Sequence, residues 1–158
     1  MRPIALTVLA LFVAATAASA RPQASVLGEP PGQPPPAIGN LAAPPPAWVE
    51  TARGSRWLGY SSFCWGTTCA DFSAPRCGDV GHTPTLRLRR GETVRFHLGF
   101  LPVELGLTFF GRDSRLKGYR LALRRTAAWH VDQRGVFSLF ARAKADGDAS
   151  YVGCVRFR

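Results

Sequence analysis

Leu86-Arg87-Leu88-Arg89-Arg90-Gly91-Glu92-Thr93-Val94-Arg95-Phe96-His97-Leu98 carries the pattern that decides the fold. Leu86 and Leu88 alternate with Arg87 and Arg89, Arg90-Gly91 supplies a turn, and Val94, Phe96 and Leu98 alternate with Arg95 and His97. Successive side chains of a β-strand point to opposite sides, so a period of two writes one apolar face and one polar face, which helical spacing cannot do. The stretch predicts a hairpin, apolar toward a core and basic toward solvent.

The same period continues outward from it. Val103, Leu105, Leu107 and Phe109 alternate with Glu104 and Thr108, and Gly111-Arg112-Asp113-Ser114 ends that strand. Tyr119, Leu121 and Leu123 alternate with Arg120 and Arg124, and Trp129 and Val131 turn at Arg134-Gly135 into Phe137 and Leu139. Asp146-Gly147 is a hairpin signal before a last strand from Ser150 to Phe157, and Arg56 to Trp65 reads as the first strand. About seven or eight short strands with no room for a long helix predict an all-β, antiparallel sandwich of Ig-like kind over residues 48–158, stapled by disulfides. Alternation says nothing about strand order.

The residues before this domain read differently. Arg2, an apolar run from Ile4 to Ala15 and the small-x-small triplet Ala18-Ser19-Ala20 form a secretory signal peptide over residues 1–20. The run falls short of the roughly 20 residues that span a bilayer, and no later stretch is apolar enough, so no transmembrane segment is expected after processing. Residues 21–47 hold nine prolines, including Pro34-Pro35-Pro36 and Pro44-Pro45-Pro46. That composition predicts a disordered, extended linker, read as a spacer rather than a recognition segment for a proline-binding partner.

Cys64, Cys69, Cys77 and Cys154 all follow the leader, and an even count in an exported chain reads as disulfides in an oxidising compartment, secreted or extracytoplasmic. Trp65-Gly66-Thr67-Thr68 reads as a four-residue hairpin loop that sets Cys64 against Cys69, which leaves Cys77 for Cys154.

Several chemistries fail on their ligands. A copper electron-transfer site needs a thiolate, two histidines and usually a nearby methionine; the only methionine is Met1, and no histidine follows Cys154. Zinc lacks a second cysteine pair, and His82, His97 and His130 are scattered, so neither a metal nor another cofactor is expected. No Gly-x-Ser-x-Gly elbow occurs, Cys64-Trp65 reads as a half cystine rather than a thiol nucleophile, and no paired carboxylates of the glycosidase type appear.

What the sequence does offer is positive charge, 20 basic against 10 acidic residues. Only Arg2, Arg21 and Glu29 precede Trp48, so the excess belongs to the domain, and Lys117 and Lys144 are its sole lysines. Arginine's planar fork suits bidentate contact with phosphate or carboxylate. Arg87, Arg89, Arg95, Arg120 and Arg124 all fall in the outward phase of the expected strands and would stack into one anion-binding face. The competing explanation is a solvated surface whose arginine bias accompanies an Ala-, Pro- and Gly-rich composition.

The segments Gly59-Tyr60-Ser61-Ser62-Phe63-Cys64-Trp65, Cys69-Ala70-Asp71, Pro84-Thr85-Leu86-Arg87-Leu88 and Gly91-Glu92-Thr93-Val94 together resemble a group of exported bacterial proteins and lipoproteins. In that group a strand ending in an aromatic, cysteine and tryptophan precedes a hairpin cysteine and a strand, Arg-Gly-Glu, strand unit. The resemblance implies secretion, a Cys64 to Cys69 bridge and a sandwich, and it names no substrate. This chain lacks the lipid-bearing cysteine of some members and adds Cys77 and Cys154.

The expectation is therefore a non-enzymatic extracytoplasmic binding or structural module. Its partner would be an anionic cell-surface polymer, head group or acidic glycan, or an extracytoplasmic protein, and not nucleic acid. The alternative is a small secreted hydrolase or enzyme inhibitor with its site in loops, Trp65 being the aromatic that such a loop would present.

Overall fold

The computed structural model describes residues 28–36, 43–71, 76–78, 83–110 and 117–158. The expected signal peptide, His82 and the expected turn at 111–114 lie outside them.

Two sheets form a β-sandwich. The smaller has the order β2-β1-β6-β9, built from β1 (Ala47–Thr51), β2 (Gly54–Trp57), β6 (Thr93–Leu98) and β9 (Thr126–His130). The larger contains β3 (Gly59–Trp65), β4 (Thr68–Ala70), β5 (Thr85–Leu88), β7 (Pro102–Phe110), β8 (Lys117–Arg120), β10 (Gly135–Ala143) and β11 (Gly147–Phe157). Its order is β4-β3-β11-β10-β7-β8, and β5 adds to β11 in parallel where β3 stops. All other pairings are antiparallel. Among the described residues no helix is long and apolar enough to cross a membrane.

The alternation sends the residues it marks into the core. Leu86, Leu88, Val94, Phe96 and Leu98 are buried while Arg87 and Arg95 stay exposed, and the sheets meet through Phe96 on Phe137 (ring centroids 5.7 Å apart) and Phe109 on Trp129 (5.1 Å). Pairing departs from expectation. The expected 86–98 hairpin is instead a corner: β5 joins the larger sheet beside β11, and β6 joins the smaller one between β1 and β9. Both strands show an apolar side to one core from opposite sheets, so the period cannot tell a hairpin from a crossing. The same happens at 131–134, where the chain leaves β9 for β10, and at Leu58, where the expected strand 56–65 breaks into β2 and β3.

Eleven segments appear among the described residues where seven or eight were expected, because the strand 56–65 breaks in two and β1 and β4 add to the count. A smaller departure occurs at Val103, which is exposed although its phase predicts burial, because a bulge between Arg142 and Ala143 shifts the register and turns Pro102 inward instead. Leu123 is likewise exposed, since β8 ends at Arg120.

Both expected disulfides are present, Cys64–Cys69 and Cys77–Cys154. The loop between the first pair is tighter than read: Trp65 pairs with Thr68, leaving only Gly66-Thr67 at the tip, and Cys64 stands directly opposite Cys69. The linker boundary also moves. Ala47 already opens β1, Pro44 is buried, Tyr60 donates its hydroxyl to the Pro44 carbonyl at 2.7 Å, and Tyr151 donates to the Pro45 carbonyl at 2.6 Å. Proline keeps its carbonyl as an acceptor, so a proline run that cannot join a ladder can still be fixed by buried phenols.

Candidate anion-binding cleft

The five arginines singled out by phase do not make one face. Arg87 on β5 and Arg120 on β8 flank β11, β10 and β7, a separation of about 19 Å at the usual interstrand spacing. Arg95 stands on the other sheet, where its Nη1 donates to Glu50 Oε1 at 3.2 Å. Arg89 lies just past β5, and Arg124 lies in the link between β8 and β9, its backbone N–H bonded to the Ala122 carbonyl, so neither holds a strand phase. The sheet crossing at 89–92 is what parts Arg87 from Arg95.

A different set converges. Where the turn of the β1–β2 hairpin approaches β5 and the end of β11, Arg53, Arg56, Arg87 and Arg156 line a cleft of about 510 Å³. Arg53 sits in the turn, which Gly54 completes with a φ of +115°. Arg56 pairs with the buried Val49 and shares its inward phase, yet it stays exposed because β2 is an edge strand. Arg87 and Arg156 are register partners on parallel strands, so they leave the sheet side by side. Leu86 and Leu88 supply apolar lining, and Thr51, Ser55 and Thr85 add hydroxyl-bearing residues.

The cleft gathers four arginines and no described acid. Four acids elsewhere are paired with basic side chains: Glu50 with Arg95 and His97, Glu92 with Arg158 at 3.5 Å, Glu104 with Arg142 at 2.8 Å and Asp132 with Lys117 at 2.7 Å. Burial alone would raise the Asp132 carboxyl, but hydrogen bonds from Lys117 and Tyr119 hold it below the ordinary carboxylate value. None of the four cleft arginines has an acidic partner among the described residues. Like charges in register repel one another, so an anion bound between Arg87 and Arg156 would offset their repulsion.

The proline-rich segment reaches the same place. Pro30 is buried, Pro31 lines the cleft, and Trp57 Nε1 donates to the Gly32 carbonyl at 3.3 Å. Part of the supposed spacer thus forms a wall of the site.

The loop expected to present Trp65 does not project it. Trp65 is half-buried against Phe100 with ring centroids 5.0 Å apart, and the Gly66 N–H bonds the Asp146 carbonyl, because the short loop folds onto the β10–β11 turn. His97 points outward as expected but stacks on Trp48 at 4.9 Å and bonds Glu50 through Nε2 at 3.0 Å. His130 bonds Thr93 through Nδ1 at 3.0 Å. Among the described residues no three His, Cys, Asp or Glu side chains gather as a metal site. No protein-family model, curated protein or solved structure matches the chain.

Arg53, Arg56 and Arg156 were missed in the sequence. Arg53-Gly54 is a turn signal that could have announced the β1–β2 hairpin, but Arg156 comes beside Arg87 only through the parallel pairing of β5 and β11.

Proposed function

We propose that the protein is a non-enzymatic, extracytoplasmic binding module that holds an anionic ligand of the cell envelope in the cleft between its sheets. The observation that carries this reading is the presence of four arginines and no carboxylate among the described residues that line the cleft. The lining offers hydrogen-bond donors and fixed positive charge, and no described histidine or carboxylate that could move a proton. Two disulfides are compatible with an oxidising compartment, and the leader-like N-terminus and the resemblance to exported bacterial proteins point the same way.

Retention of the protein on an immobilised anionic polymer tests this. Retention should weaken with salt, and the Arg87→Ala/Arg156→Ala variant should lower the slope of log affinity against log salt by about one per arginine removed. Arg120→Ala, far across the sheet, should change it little. Retention indifferent to the double substitution would remove the cleft from the reading.

A further inference from the structure

We infer that the cleft selects ligands carrying two neighbouring phosphate-type groups, a diphosphate or its equivalent, each gripped by a pair of arginines; this rests on the anion-binding reading above. The four arginines come two from each sheet's side of the cleft. Arg87 and Arg156 are register partners on β5 and β11 of the larger sheet, while Arg53 and Arg56 flank the start of β2 in the smaller one. All four line one cleft.

A tetrahedral oxyanion accepts two guanidinium forks comfortably, so two pairs match two such groups, whereas a single phosphate would leave one pair of like charges unrelieved. The volume agrees. About 510 Å³ lies within the range of roughly 300–1,000 Å³ usual for small-ligand sites and is far more than one phosphate ion fills. Charge density separates the ligand classes further. An acidic glycan spaces its carboxylates at about one per sugar ring, while a diphosphate puts comparable charge within one linkage, as four guanidiniums in one cleft require. Because the cleft contains no lysine, recognition depends on fork geometry as well as on charge.

The ligand's source is either a soluble phosphate polymer or a diphosphate-bearing lipid head group, and the site's chemistry is the same for both. Calorimetry on the full chain, expressed for export so that both disulfides form, tests the inference with pyrophosphate, orthophosphate and an oligogalacturonate. Pyrophosphate should bind at least about tenfold more tightly than the other two, and Arg53→Ala and Arg87→Ala should each weaken it by about tenfold or more. Arg87→Lys, which keeps the charge and loses the fork, should recover little of that loss. Thermal unfolding of each variant confirms that the fold is intact.

Binding to soluble polyphosphate, or to vesicles bearing a lipid diphosphate but not to plain phosphatidylcholine vesicles, then assigns the source; either supports the proposal. Equal affinity for orthophosphate and pyrophosphate, or tighter binding of the galacturonate, with Arg87→Ala still weakening each, overturns the two-phosphate selectivity and leaves the anion cleft standing. Anion binding untouched by both Arg53→Ala and Arg87→Ala overturns both.

Discussion

Gly153 lies beneath Phe137 in the core of β11, where an added Cβ would stand 2.5 Å from the ring's Cζ. Phe137 is fully buried and packed on Phe96 and Phe109, so the ring has no room to withdraw. Gly153→Ala is expected to destabilise the domain by about 1–3 kcal/mol, read from urea denaturation. The buried phenols set a second expectation. Burial pushes the Tyr60 hydroxyl up to about 12 and the Tyr151 hydroxyl, which is more deeply buried, up as well, with the nearby Tyr60 adding a smaller rise. Both folded values lie above the ordinary value of 10.0, so the folded state keeps protons that the unfolded chain releases. Stability is therefore complete below about pH 10 and falls as pH rises from 10 toward 12, by up to about 1.4 kcal/mol per pH unit for each tyrosine. Denaturation midpoints between pH 8 and 12 check this, and Tyr60→Phe should flatten the decline. The aromatic positions were legible in the sequence as strand residues. Their partners, carbonyls of Pro44 and Pro45, were not, because a hydrogen bond between Tyr151 and Pro45 spans 106 residues.

At the scale of elements, the proline-rich segment divides into parts with different duties. Pro44 and Pro45 are fixed by Tyr60 and Tyr151, and Gly99 leaves room for Pro45, whose Cβ would lie 2.4 Å from any Cβ added there. Residues 28–36 instead rest on Trp57, which donates to the Gly32 carbonyl, and on the burial of Pro30. Removing residues 21–36 should expose Trp57, shift tryptophan emission to the red and leave the unfolding midpoint nearly unchanged. The disulfides differ in weight as well. Cys77–Cys154 spans 77 residues and Cys64–Cys69 only 5. Loop-closure entropy then gives about 4.5 kcal/mol for the first and about 2 kcal/mol for the second. Replacing the first pair with serine should lower the melting temperature by clearly more than replacing the second, as calorimetry would show. The existence of most elements was readable from alternation; their partners were not, and β1 was lost among the prolines that precede it.

For the molecule as a whole, a ligand held as proposed would touch arginines from both sheets and favour the folded state alone. At a concentration about 100 times its dissociation constant it should add about 2.7 kcal/mol to the unfolding free energy, and a tenfold weakening by Arg87→Ala should cut that gain to about 1.4 kcal/mol at the same ligand concentration. Period-two alternation, through the fixed geometry of a strand, determined from sequence alone that the chain is a β-sandwich with Phe96, Leu107, Phe109, Phe137 and Leu139 inside. Cysteine spacing gave the disulfides for a similarly local reason, since a tight hairpin brings Cys64 to Cys69 and leaves one partner for Cys154. Tertiary structure alone decided which arginines meet. Every inward-facing strand satisfies the same core, so burial is indifferent to which sheet a strand joins; that choice sends Arg95 to Glu50 and brings Arg156 to Arg87.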